Sequence, residues 1–188
     1  MVRRVMNLWD LGYLPYRLLK RNGREIKAVS LSIPGYAGID GCMEDRIWSV
    51  RKAQWDADGP GLLEVRGRVF IEEQGVDLLV ERDGMDSQCL HAIAEDAEGI
   101  PIGAGRIAGN GKVGRIAVIE GWRGSGVGTA IMHELHRQAE CMGMRHTYLH
   151  SQSLAAGFYL RFGYLIEGDE FLEAEIPHLK MVRIIHGD

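Results

Sequence analysis

Arg123-Gly124-Ser125-Gly126-Val127-Gly128 is the segment whose residue types and spacing point most directly to chemistry. It follows an apolar run of strand character, Val113-Gly114-Arg115-Ile116-Ala117-Val118-Ile119, and precedes helical periodicity from Thr129 to Met142. A turn between strand and helix leaves backbone N–H groups unpaired, and the helix dipole adds positive potential there. Alternating glycines let that backbone approach a ligand with no Cβ in the way. Such a turn binds anions, and Arg123 adds a forked donor matched to phosphate oxygens. A phosphate or pyrophosphate is the expected ligand, cradled by Gly124, Ser125, Gly126, Val127 and Gly128. The plain alternative is a glycine-rich turn that only caps a helix.

The loop lacks the Gly-Lys-Ser/Thr ending of a Walker A motif. Its glycines run G-x-G-x-G rather than the G-x-G-x-x-G of dinucleotide-binding turns, and no acidic residue closes a second strand about twenty residues later. The pattern present is R-x-x-G-x-G. It resembles the pyrophosphate loop of the GCN5-related N-acetyltransferase (GNAT) family, whose members use acetyl-CoA. Downstream, Phe158-Tyr159-Leu160-Arg161-Phe162-Gly163-Tyr164 resembles that family's F-Y-x-x-x-G-F element. Gln152, Ala155 and Tyr159 fall at the spacing of its N/Q-x-x-A-x-x-x-Y pattern. Upstream, Val65-Arg66-Gly67-Arg68-Val69-Phe70-Ile71-Glu72-Glu73-Gln74 is similar to the V-R-x-x-V-F-x-x-E-Q helix of the ElaA-like branch. Asp83, Asp86 and His91, then Phe171, Glu173, Ile176, His178 and Met181, are further branch-like pieces. The resemblance runs from about Ile47 to Ile185 and weakens at both ends.

The resemblance implies an α/β GNAT fold: a mixed, mostly antiparallel twisted sheet flanked by helices, with strands splayed at the acetyl-CoA site. It implies acetyl transfer from acetyl-CoA, a co-substrate, to a primary amine by direct attack. Pantetheine would lie in the gap against backbone groups of Ile116, Ala117 and Val118, with Gln152 on the facing strand. A backbone N–H there would hold the tetrahedral oxyanion. Tyr159 occupies the family's usual acid position, and a half-buried packing tyrosine is its other reading. Glu73, His91 and His150 have suitable chemistry to take the ammonium proton, His150 being favoured because it sits just before Gln152. Each also has a structural reading, Glu73 as a helix-end charge and the histidines as polar strand residues. The rivals are an acyl-homoserine-lactone synthase-like acyltransferase and a non-catalytic CoA or nucleotide sensor on the same scaffold. The R-x-x-G-x-G loop argues against the first.

The elements that must position these groups follow from periodicity. Ile47 to Gln54 alternates as a first strand. Asp58-Gly59-Pro60 offers a helix start, with Leu62, Val65, Val69 and Phe70 as the apolar face. Leu78 to Asp86 is a loop or short helix rich in acids. Cys89 to Ala94 and Ile100 to Ala108 are strands, and Asn110-Gly111 is a hairpin signal. Val127, Ile131, Leu135, Ala139 and Met142 form a core stripe, and Gly143 ends that helix. Thr147 to Gln152 is a strand, Ser153 to Phe162 a short helix, and Leu165–Gly168 and Leu179–Ile185 are the last strands. Residues 1–43 are expected to be an N-terminal extension of unknown role before a GNAT domain over 44–188. Met43 is a candidate start residue, a genuine arm is the other reading, and residues 26–33 are a candidate extra strand.

The chain has 188 residues, 46% hydrophobic and 26% charged, enough for one domain with a sizeable core. No apolar run reaches membrane-spanning length, and Asn7, Asp10 and Arg17 break any signal-peptide core. The expectation is a cytoplasmic protein with no membrane partner. A net charge of −4 gives no bulk attraction to nucleic acid. Cys42, Cys89 and Cys141 form no C-x-x-C, which favours idle reduced thiols. His133 and His136 lack further ligands, so no metal is expected and both are read as surface residues. Glu72, Glu73, Asp77, Glu81, Asp83 and Asp86 line either a cationic-amine site or a solvated face. The acceptor is a small-molecule or peptide amine, and a homodimer is left open.

Overall fold

The computed structural model describes residues 19–21, 24–27 and 47–185. Strands β1 (Leu19–Arg21), β2 (Arg24–Lys27) and β3 (Trp48–Ala53) come first. Helix α1 (Trp55–Arg66) passes into a π-helical segment, Gly67–Glu73, and a short helix α2 (Leu78–Glu81) follows. Next come β4 (Leu90–Asp96), β5 (Pro101–Ile107), β6 (Val113–Val118) and helix α3 (Val127–Cys141). The chain finishes with β7 (His146–Gln152), α4 (Ala156–Leu160), β8 (Leu165–Ile166), β9 (Phe171–Glu173) and β10 (Ile176–Ile184).

Strands β1 to β6 make an antiparallel sheet in sequence order, and β7, β10 and β8 make a second, with β9 on β10. Between β6 and β7 the structure has a parallel bridge, Lys112 to Tyr148, where the Tyr148 N–H donates to the Gly111 carbonyl at 3.0 Å. Among the described residues no further bridge joins the two sheets. The strands part from that point, so a gap opens toward Val118 and Gln152. This is the expected splayed α/β architecture.

The first sheet is covered on both faces. Helix α3 buries Val127, Ile131, Leu135 and Ala139 with Ala92, Ala94 and Ile107. Helix α1 buries Leu62 and Val65, with Val69, against Ile93, Ala104 and Ala117. Gly103 and Gly105 of β5 allow the close approach of α3. A Cβ at Gly105 would lie 2.5 Å from Ile131 Cγ2.

Several expectations need correction. Helix α1 starts at Trp55 and carries Pro60 inside it. Asp58 opens no helix; its carboxylate accepts the Gln54 N–H at 2.7 Å and two bonds from Arg51, which Glu95 also holds. Met142 leaves the apolar stripe and is 64% exposed, because the helix ends at Cys141 and Met142 lies past its last turn. His136 is buried, with Nε2 3.0 Å from the Tyr164 hydroxyl; only His133 stays exposed. Strand β9 was missed, since Phe171-Leu172-Glu173 is too short to show alternation.

Strand β2 lies on β3, with Ile26 opposite Ser49 and Lys27 opposite Trp48. The remainder of the expected extra strand, residues 28–33, lies outside the described residues, as do Cys42 and Met43. Among the described residues no helix is long and apolar enough to cross a membrane, and no group of three or more His, Cys, Asp or Glu is placed to hold a metal.

Candidate active site

The glycine-rich loop sits where β6 meets α3. Gly124 and Gly126 have φ of 77° and 90°, a region that a Cβ disfavours. Among the described residues nothing accepts a hydrogen bond from the N–H groups of Gly124, Ser125, Gly126, Val127 or Gly128. The first bond back into the helix is Ala130 N–H to the Gly126 carbonyl at 3.0 Å. Ser125 Oγ donates to the Trp122 carbonyl at 2.6 Å, which ties the loop to the preceding turn. These unspent donors fit an anion with several oxygens. The Arg123 guanidinium turns inward: Nε donates to the Val118 carbonyl at 2.9 Å and Nη2 to the Glu73 carboxylate.

Strand β6 presents alternate backbone groups to the gap. The Ile119 N–H bonds to Ile102 on β5 at 3.0 Å, so by antiparallel alternation Val118 turns its N–H and carbonyl away from β5. Ala117 turns its groups toward Ala104 of β5. A bulge interrupts the register between Ala104 and Arg106, where Arg115 and Ile116 oppose Gly105. Ile116 and Val118 therefore offer gap-side backbone, and Ala117 lies between them facing β5.

On β7, Thr147, Leu149 and Ser151 are buried while Tyr148, His150 and Gln152 line the half-exposed face. His150 Nδ1 lies 2.7 Å from Glu173 Oε2, and its ring meets Phe171 edge-on at 4.9 Å. Burial pushes the Glu173 carboxyl up, but the His150 hydrogen bond together with the charges of His150, Lys112 and His178 outweighs it, and the pKa lies below the ordinary value. Gln152 Nε2 donates to Gln74 Oε1 at 3.2 Å. Tyr159 is half-buried on α4 beside Phe158, and burial pushes its phenol above the usual range. Its hydroxyl has no hydrogen-bond partner among the described residues.

The structure brings Glu73, Arg123, Val118, Gln74 and Gln152 around the mouth of the gap. His91 is elsewhere: it is buried, stacked on Trp55, with Nε2 2.8 Å from the Asp86 carbonyl. The acidic segment is also not an open amine site. Asp77 caps α2 through the Leu79 N–H. Glu81 and Asp86 are buried on Arg66, and Asp83 and Asp86 bind Arg106. Arg106 holds the Asp83 carboxyl well below the carboxylate range. Glu173 and Gln74 were not singled out as functional, because each meets its partner only across the folded sheet. A cavity of about 550 Å³ lies instead on the outer face of α1, lined by Trp55, Pro60, Leu63, Glu64 and Arg82. It shares no residue with the gap.

Parted strands with a row of unpartnered N–H groups at the end of the opening fit an acyltransferase domain. Residues 64–185 match the family described as "Acetyltransferase (GNAT) domain", and the chain belongs to that family of acetyltransferases. It is 39% identical over 123 residues to an uncharacterized N-acetyltransferase of Bacillus subtilis, YjcF, covering 63% of this chain and 87% of that protein. Among solved structures, an acyl-CoA N-acyltransferase from Pseudomonas aeruginosa matches with TM-score 0.65 and 26% identity over 72% of this chain and 99% of that one. Escherichia coli ElaA shares the fold, with TM-score 0.64, 23% identity and the same coverage. So does a GNAT acetyltransferase from Elizabethkingia anophelis whose structure holds acetyl-CoA, with TM-score 0.53 and 12% identity over 73% of this chain and 98% of that one.

Proposed function

We propose that this acetyltransferase moves an acetyl group from acetyl-CoA to a primary amine, small-molecule or peptide, by direct attack in the gap between β6 and β7. The observation that carries this reading is the row of unpartnered N–H groups at Gly124–Gly128, set where the two strands have separated. The loop and the α3 dipole hold the pyrophosphate. Ile116 and Val118 offer backbone groups to pantetheine, and a gap-side N–H stabilises the oxyanion.

His150 takes a proton from the incoming ammonium, directly or through water, with its ring held by Glu173 through Nδ1. The amine nitrogen then attacks the thioester carbonyl carbon and the C–N bond forms. Collapse of the oxyanion breaks the C–S bond. Tyr159 gives its proton to the departing thiolate. The phenol is protonated at neutral pH, so the proton is in place when the thiolate forms. Glu73 is spent on Arg123, which leaves His150 as the better placed base. Holding both reactants in one gap supplies most of the acceleration.

The test is incubation with acetyl-CoA and a panel of amines, reading free thiol and acetylated amine together. Thiol release that requires an amine supports the reading. Tight CoA binding with no release under any amine would make the protein a sensor.

A further inference from the structure

We propose that Arg115 is a positioning residue: its guanidinium clamps the bulge of β6 and so fixes the gap-side backbone of Ile116 and Val118. The inference rests on the acetyl-transfer reading, since its catalytic consequence is the placement of the oxyanion donor.

Arg115 has φ of 55°, a left-handed conformation inside a strand. Any residue with a Cβ is strained there, and such strain persists only where the surroundings overdetermine it. The surroundings are specific. Nη2 donates to the Val80 carbonyl at 2.8 Å and to Asp83 Oδ2 at 3.1 Å, and Nε donates to the Glu81 carbonyl at 3.2 Å. Val80 and Glu81 belong to α2, so the side chain ties the donor strand to the acidic segment.

That segment is itself anchored. Arg106 binds Asp83 through both carboxylate oxygens, at 2.8 and 2.6 Å, and Asp86 at 2.8 Å. Arg66, 1% exposed, pairs with Glu81 and Asp86. Arginines 66, 106 and 115 thus meet carboxylates 81, 83 and 86 in a charge-balanced body, and the clamp pulls on something rigid.

The next residue is held from the other face. Ile116 packs with the α3-side core, and a Cβ on Gly105 would come within 2.9 Å of its Cδ1. Arg115 and Ile116 therefore pin one peptide unit from opposite sides, at the strand position where the gap begins. An error of about 1 Å in that backbone would cost on the order of 10²-fold in rate.

The test uses Arg115→Gly, which accepts φ of 55° without strain and deletes only the clamp. Turnover at saturating acetyl-CoA should fall roughly 10²-fold. Hydrogen exchange of the 113–118 amides should accelerate. Asp83→Asn, which weakens one anchor of the clamp, should move turnover and exchange in the same direction by less. Normal turnover with unchanged exchange in Arg115→Gly overturns the proposal. So does a lowered thermal midpoint with normal turnover, since that marks a purely structural residue. If the wild type transfers no acetyl group, the function reading fails by itself, and the exchange comparison still decides the clamp.

Discussion

Arg123 and Glu73 form an ion pair across the mouth of the gap, and the same guanidinium donates through Nε to the Val118 carbonyl at 2.9 Å. One side chain therefore joins the end of the π-helical segment, the anion loop and the last residue of β6. π-Helical turns occur frequently at functional sites, and this one delivers Glu73 and Gln74 to the gap. A phosphate bound at the loop would compete with Glu73 for Arg123.

Glu73→Gln should keep turnover and bind CoA at least as tightly, because it removes the competing carboxylate. Arg123→Ala should weaken CoA about tenfold to a hundredfold, since a charge-assisted bond contributes roughly 1.5–3 kcal/mol and about 1.4 kcal/mol is tenfold. Titration of each variant with CoA checks both. Collapse of turnover in Glu73→Gln would return the base role to Glu73.

Gly126 has φ of 90° at the start of α3. Gly126→Val strains that backbone and puts a branched side chain beside the N–H groups. CoA affinity should fall at least as far as in Arg123→Ala, with circular dichroism unchanged. Unchanged affinity in both variants would remove the loop from the binding site.

Tyr159→Phe keeps the ring and its packing on Phe158 while deleting the proton donor. Turnover should fall by about 10²–10⁴, the usual contribution of a general acid. Acetyl-CoA binding and thermal midpoint should hold. Near-normal turnover would mean that water protonates the thiolate and that Tyr159 only packs.

The long periodic elements were legible in the sequence, because α3 and β4 to β7 show their burial directly in residue order. The glycine-rich turn between β6 and α3 was legible too, since glycine spacing writes its backbone geometry. What stayed hidden depends on pairs distant in sequence. Glu173 meets His150 only because β9 folds back on β10, which pairs with β7. The acids at 81, 83 and 86 read as either an amine site or a solvated face, because their partners Arg66 and Arg106 lie far away in sequence. Asp58 read as a helix start because its partner Arg51 lies on β3, where Glu95 of β4 also holds it.

Stability should fall as pH drops below about 6.5. Burial pushes the His136 pKa down to about 3, so the unfolded chain takes up a proton there that the folded protein refuses. The contribution is complete above 6.5 and is lost as pH falls from there toward about 3, at roughly 1.4 kcal/mol per pH unit. His91, also lowered by burial, adds a slope of the same sign. Denaturant melts at pH 7.0, 6.0 and 5.0 read the slope. His136→Gln should flatten it, and an equal slope in that variant would assign the pH dependence elsewhere.

Initial rates of thiol release over a grid of acetyl-CoA and amine concentrations test the central claim most directly. Direct attack in the gap predicts release that requires the amine, reciprocal plots that intersect, and no acetylated protein by mass spectrometry. Parallel lines with an acetylated protein, or no amine-dependent release at all, would contradict it.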